Sequence, residues 1–180
     1  CQQVGVPRNT TFAVGLLART AQALGYHEDL PPLLREQLRL AIEMNDRSAA
    51  AFALEHLGLA RQAEHHTSEA CEYIQQAIAH YLDLGDLWSA SRALNYAGQF
   101  ELSLTRCAEA RQFFTRARQA AIEGHVPPNA LDALLGLAEV NVCEGCVAEA
   151  LDLIDQVLSD PVTTQATRER AGQLRATLLR

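Results

Sequence analysis

The chain has 180 residues, of which 48% are hydrophobic, so it is long enough for one substantial core or a short array of repeated units. All 15 basic residues are arginine, and without lysine the chain has neither a Schiff-base residue nor the lysine of a phosphate-binding loop. The net charge of −7 disfavours nucleic acid as a partner. No apolar stretch is long enough for a membrane span, and no charged start followed by an apolar run indicates a secretory signal.

Five cysteines are an odd number and do not form the dense, even framework of a small secreted domain. We therefore expect a soluble, cytoplasmic protein without a cofactor. The arginine-rich, lysine-free composition is typical of a GC-rich bacterial genome. Because the only methionine is Met44, we expect a processed chain or a segment of a longer one.

Nine helices are predicted after an extended segment at residues 1–10. Apolar residues recur at i, i+3, i+4 and i+7, and the alternation typical of strands is not present. Turns at "LGDL", "HVPPN" and "SDPVTT" contain the Gly, Pro, Asn and Thr residues that end and restart helices. The predicted helices are 11–24, 30–44, 47–63, 67–84, 87–103, 107–123, 128–144, 147–158 and 163–179.

A 40-residue period relates these helices in pairs, because the small residues Ala70, Ala110 and Ala150 lie 40 positions apart. Each is followed by apolar residues at the same two later positions, and a small or apolar pair precedes it: Leu57–Gly58, Ala97–Gly98 and Leu137–Ala138. Small side chains allow antiparallel helices to approach closely. The predicted units are 11–46, 47–86, 87–126 and 127–160, followed by a final helix at 163–179.

The pattern resembles the tetratricopeptide repeat (TPR), W-x2-L-G-x2-Y followed by A-x3-F. Leu54–Ala77 ("LEHLGLAR...EACEYIQQA") and Leu94–Ala117 ("LNYAGQFE...EARQFFTRA") match well, and Leu134–Val157 matches less closely. Leucine replaces the family's preferred tryptophan, and no proline ends the units. The resemblance implies an all-α, right-handed solenoid of antiparallel helix hairpins, in which residues 11–180 form a single array.

In this family the first helix of each pair lines a concave face that binds a protein or peptide without catalysis. Asn95 in "RALNYAG" resembles an asparagine that holds a ligand backbone in other members. The clamp that some members use for chaperone C-termini is missing, since Gly15, Glu55, His56, Tyr96 and Gly136 occupy several of its positions. The resemblance predicts that Arg19, Glu55, Leu59, Arg92, Asn95, Gln99, Asp132 and Glu139 line the face.

Forty-residue units joined by "LGD" also resemble those of large bacterial signalling proteins, such as LuxR-type, ATP-binding transcription regulators of the MalT-like group. This resemblance implies a sensing or scaffolding role within a longer parent protein. The expected partners are a protein or peptide, or other domains of the parent chain, and neither nucleic acid nor a membrane is expected.

The "CEGC" stretch, Cys143 to Cys146, provides an alternative: a redox- or metal-responsive module. In the repeat register it is the turn between paired helices, and Cys107 lies in the equivalent turn one unit earlier. Helix packing predicts about 10 Å between successive turns, which is too far for a shared metal ion. A scaffold that mediates self-association is a second alternative.

Overall fold

The computed structural model describes residues 30–180. The chain forms two compact units, residues 1–85 and 86–180, which divide within the "LGDL" turn. The described part of the first unit contains α1 (Leu30–Glu43), α2 (Arg47–Ala63) and α3 (Thr67–Asp83). The second unit contains α4 (Leu87–Ser103), α5 (Cys107–Glu123), α6 (Pro127–Cys143), α7 (Val147–Ser159) and α8 (Gln165–Leu178).

The predicted all-α fold is confirmed, since residues 30–180 contain eight helices and no strand. Predicted and observed bounds differ by at most two residues. The largest difference is at α8, where the side chain of Thr164 caps the helix by accepting a hydrogen bond from the Thr167 N–H at 3.2 Å. The predicted segment 1–10 and helix 11–24 lie outside the described residues, and the single array of residues 11–180 stays a prediction.

A recurring turn sets the period of the sequence. Helices α2 to α6 have 17 residues each, and three residues connect each helix to the next. One residue of each turn has a positive φ. In five of these turns the last N–H donates to a carbonyl of the preceding helix, as when the Cys146 N–H donates to the Asn141 carbonyl at 2.8 Å. The positive-φ residues follow one another every 20 positions: Asn45, His65, Gly85, Thr105, His125 and Gly145. Two such steps give the 40-residue repeat.

Residues that recur every 40 positions on the second helices form the core of the units. They lie at i, i+4 and i+7 on α3, α5 and α7, so each set occupies one face of its helix. Nine of these side chains are fully buried: Ala70, Ile74, Ala77, Ala110, Phe114, Ala117, Ala150, Ile154 and Val157.

Phe114 on α5 explains the small residues on the helices beside it. A Cβ atom added to Gly98 of α4 would lie 2.7 Å from the Cε1 atom of the Phe114 ring, and one added to Gly136 of α6 would overlap the same ring. Gly58 on α2 is equivalent to Gly98, and its added Cβ would lie 2.8 Å from Cγ1 of Ile74. Close approach of the helices therefore depends on the missing side chains, as the sequence predicts.

Candidate binding surface

The first-helix residues predicted to line a binding face differ in burial according to their register. Arg19 lies outside the described residues. Glu55 and Asn95 are buried and occupy the register position of Leu135, which belongs to the core. The other five predicted residues are half-buried and lie three positions before or four positions after that buried position: Leu59, Arg92, Gln99, Asp132 and Glu139.

In the first unit, Glu55 forms a contact between α2 and α3. Glu55 is 1% exposed, and its carboxylate accepts a hydrogen bond from the Tyr81 hydroxyl at 2.7 Å. A buried carboxylate requires such donors, so this contact has a structural role. Nearer the turn, Arg61 of α2 pairs with Glu69 of α3 at 3.2 Å, and its hydrogen bond to Glu64 raises the pKa of the Arg61 guanidinium.

In the second unit, Asn129 links the first helices α4 and α6. Its side-chain amide donates to the Trp88 carbonyl at 3.1 Å and to the Ser91 hydroxyl at 2.8 Å. In return, the Asn95 side chain donates to the Asn129 carbonyl at 3.0 Å. Asn95 is 5% exposed, and its Oδ1 atom has no hydrogen-bond partner among residues 30–180. The side chain predicted to hold a ligand backbone therefore joins two helices.

Two more polar contacts link α6 to α8. The Thr167 hydroxyl donates to the Asp132 carboxylate, and Arg170 pairs with Glu139 at 2.7 Å. Asp132 and Glu139 thus remain half-buried while a partner on the neighbouring helix fixes their orientation. These contacts restrain the polar groups of α4, α6 and α8 before any ligand arrives.

Trp88, in the first turn of α4, is the most prominent exposed apolar side chain near this row of contacts. It is 52% exposed, and the Arg92 guanidinium lies over its ring at 4.3 Å from the ring centre. Gln99 lies further along the same helix and is half-buried. Trp88 is not among the residues predicted from the sequence, and the one signal for it there is that it is the only tryptophan of the chain.

Cys107 and Cys143 form a disulfide bond with a Cα–Cα distance of 6.4 Å. The expectation that about 10 Å separates these two cysteines is therefore wrong. Cys107 begins α5 and Cys143 ends α6, and because these helices are antiparallel neighbours, their two ends lie side by side. Cys143 is therefore bonded to Cys107 and not to Cys146, which is a free, exposed thiol.

An ion pair supports the same end of the α5–α6 hairpin. The Arg111 guanidinium of α5 contacts the Glu144 carboxylate at 2.6 Å, just beyond the end of α6. It also donates to the Asn141 side-chain oxygen at 2.7 Å. This end of the hairpin is consequently held by a covalent bond and by charge-assisted hydrogen bonds.

Each unit also contains a groove of about 390 Å³ beside its second helices. One is lined by parts of α1, α2 and α3, and the other by α5, α6 and Asp160. Nine positions that line the first groove recur 80 residues later in the second, including Ile42 with Ile122 and Leu54 with Leu134. The grooves are therefore the same structural feature, two repeats apart. They are not among the sites predicted from the sequence.

Within residues 30–180, no three His, Cys, Asp or Glu side chains come together in a way that could hold a metal ion. None of the helices in this part of the chain combines the length and the apolar character needed to span a bilayer.

The fold is similar to that of solved TPR-like proteins. BtubC (BKLC) of P. vanneervenii has 17% identity and a TM-score of 0.71, and the match covers 94% of this chain and 64% of BtubC. A Podosopora anserina putative kinesin light chain with nearly identical TPR-like repeats has 18% identity and a TM-score of 0.67, over 93% of this chain and 89% of that one. The MamA protein has 18% identity and a TM-score of 0.63, and the match covers 92% of this chain and 76% of MamA.

These similarities confirm a TPR-like fold, and at such identities they establish the fold alone. The chain spans less than two thirds of the length of BtubC. No protein-family model and no curated protein sequence matches the chain.

Proposed function

We propose that the chain is a protein- or peptide-binding module without catalysis, and that its second unit binds an extended segment of the partner across the first helices. The surface consists of Trp88, Arg92 and Gln99 on α4 together with Asp132 and Glu139 on α6, and we call it the first-helix surface. It comprises four of the eight residues predicted from the sequence, with Trp88 added. Binding by Arg19, Glu55, Leu59 and Asn95 remains a prediction.

The observation that supports this proposal is the half-exposed Trp88 with Arg92 stacked on its ring. Tryptophan and arginine are the residues most enriched among those that dominate protein-binding energy. Covering the indole would remove apolar surface from water, at about 25 cal/mol per Å². The hydrogen bonds from α4 to α6 and from α6 to α8 hold the surrounding groups in place, so that little side-chain entropy is lost on binding.

The chemistry of the surface favours a segment of mixed character. An apolar side chain of the partner would pack on the indole of Trp88, and a nearby carboxylate would pair with the Arg92 guanidinium. The amide of Gln99 can both donate to and accept from an extended backbone. Such a combination is suited to a peptide.

A displayed library of random peptides tests the proposal, because binding near the single tryptophan changes its fluorescence directly. Peptides that bind the purified protein would be titrated by tryptophan emission and then by calorimetry. We expect Trp88→Ala to weaken binding by about 30-fold, the effect of losing about 2 kcal/mol at a central contact. Arg92→Ala should weaken it to a smaller extent.

Ile122→Ala is the matched control, since Ile122 is also 52% exposed but lies on the second helix α5. The Ile122→Ala protein should bind the selected peptides with the same affinity as the unmodified protein. If Ile122→Ala removes binding and Trp88→Ala does not, the groove beside α5 is the binding site and the proposed surface is wrong. Sedimentation at several protein concentrations distinguishes peptide binding from the alternative of self-association.

We further propose that the module is the sensing or scaffolding part of a larger bacterial signalling protein or transcription regulator, and that it is cytoplasmic. The 40-residue period with its "LGD" turn and the lysine-free composition support the role in a bacterial regulator, and the odd number of cysteines supports the cytoplasmic location. The sequence of the complete gene tests this directly. An adjoining ATPase or DNA-binding domain is the expected finding, and a gene that encodes neither would contradict the proposal.

A further inference from the structure

Three cysteines lie at one end of the α5–α6 hairpin. Cys107 and Cys143 are disulfide-bonded. Cys146 is a free thiol, and two residues separate it from Cys143. Cys143 and Cys146 are both exposed, and Cys107 is half-buried. Cys146 precedes the first residue of α7, and its side chain makes no capping hydrogen bond. An accessible thiol is therefore next to an accessible disulfide.

We propose that these cysteines form a thiol–disulfide exchange site, in which the Cys146 thiolate attacks the sulfur of Cys143. A Cys143–Cys146 bond forms, the Cys107–Cys143 bond breaks, and its electron pair leaves with Cys107 as a thiolate. Cys146 loses its proton to solvent, and Cys107 can take one up. One disulfide and one thiol exist before and after the step, so that no external oxidant or reductant is consumed.

The arrangement favours attack at Cys143. Only Glu144 and Gly145 separate Cys143 from Cys146, so a bond between their sulfurs would close only a short loop. Gly145 has a φ of 80° and would retain backbone freedom in a rearranged turn. The departing Cys107 is the first residue of α5, where the partial positive charge of a helix N-terminus stabilises a thiolate.

The exchange would change what the disulfide holds together. In the structure it joins two helices, whereas a Cys143–Cys146 bond would lie within one turn. The ion pair from Arg111 to Glu144 and the hydrogen bond to Asn141 would still connect α5 to the end of α6. The hairpin would thus lose its covalent link without separating, and Cys107 would become a thiol open to modification. The exchange does not depend on peptide binding.

Peptide mapping after alkylation tests the proposal in a Cys1→Ser, Cys71→Ala background, in which only the three relevant cysteines remain. The oxidised protein would be incubated at pH 8, quenched with acid at intervals, alkylated with N-ethylmaleimide and digested without reduction. We expect the Cys107–Cys143 bond and alkylated Cys146 at the start. With time, a Cys143–Cys146 bond should form together with alkylated Cys107, at the same rate at two protein concentrations.

Adding Cys146→Ser to this background removes the attacking thiol and should reduce Cys107 alkylation by at least about tenfold. Circular dichroism checks that both proteins are folded. Equal Cys107 alkylation with and without Cys146 would overturn the proposal, and so would a Cys107–Cys143 bond that never rearranges. Three free thiols after equilibration in an oxidised glutathione buffer would also overturn it, since the disulfide would then not form.

Discussion

The α2–α3 hairpin of the first unit and the α5–α6 hairpin of the second have the same helix length but are stabilised differently. In α2–α3, a buried hydrogen bond joins Tyr81 to Glu55, and an ion pair joins Arg61 to Glu69. In α5–α6, a disulfide joins the helix ends, and Phe114 packs where neighbouring helices carry glycine. The first hairpin pairs the two helices of one repeat, whereas the second joins the second helix of one repeat to the first helix of the next. The two hairpins should therefore respond to different perturbations.

The largest expected effect is that of removing the disulfide. Replacing Cys107 and Cys143 by serine should lower the free energy of unfolding by about 2–4 kcal/mol, because the unfolded chain regains the freedom of the loop between them. Urea denaturation measures this difference. Dithiothreitol should destabilise the unmodified protein by a similar amount and should not affect the double variant. If the reductant destabilises both proteins equally, the disulfide does not account for the loss.

A smaller effect is expected from Tyr81→Phe, which leaves the buried Glu55 carboxylate without one of its donors. The expected loss is about 1.5–3 kcal/mol, the range for hydrogen bonds to charged groups. Hydrogen exchange should accelerate in α2 and α3. Adding Glu55→Gln, which removes the charge, should recover part of the loss. Equal stability of Tyr81→Phe and the unmodified protein would show that the hydroxyl is dispensable.

Gly98→Ala tests the packing around Phe114. The added methyl group would lie 2.7 Å from the ring, so the ring or a helix must move, at a cost of about 1–3 kcal/mol. Gly172→Ala on α8 is the matched control because nothing lies within 4 Å of its added Cβ. It should be neutral or stabilise by up to about 1 kcal/mol. Similar thermal stability of the two variants would contradict the steric explanation.

The smallest effect concerns the turn before α5. Thr105 is β-branched and has a φ of 57°, whereas glycine occupies the equivalent position at Gly85 and Gly145. Thr105→Gly should stabilise the protein by about 0.5 kcal/mol. The free energy gained by removing the backbone strain of the positive φ should exceed the free energy lost with the hydroxyl contact to the Leu104 carbonyl. A lower midpoint of denaturation than that of the unmodified protein would show that the hydroxyl contact matters more.

Much of the fold could be predicted from the sequence because a 40-residue period repeats the same steric requirement. Ala70, Ala110 and Ala150 are fully buried, as their spacing indicates. The periodicity also locates the turns, since helices of one length alternate with turns of one kind. Burial of the first-helix residues was harder to predict. Polar residues such as Glu55 and Asn95 suggest a solvated face, yet their register is that of Leu135, and hydrogen bonds compensate for their burial.

The disulfide could not be predicted from the sequence for a geometric reason. The repeat register places Cys107 and Cys143 in successive turns, at about the separation of packed helix axes. They lie, however, at the start of one helix and at the end of its antiparallel neighbour, where side chains can face each other across 6.4 Å between Cα atoms. The roles of Trp88 and Asn129 could not be predicted from the repeat, because the repeated motif identifies only positions that the units share and these two residues lie outside it.

The measurement that tests the functional proposal most directly is an NMR titration of the labelled protein with a peptide selected from the library. The proposal predicts that the largest amide shift changes fall on α4, α6 and α8, around Trp88, Asp132 and Glu139. Changes concentrated instead on the groove around Ile122, His125 and Pro127 would contradict it.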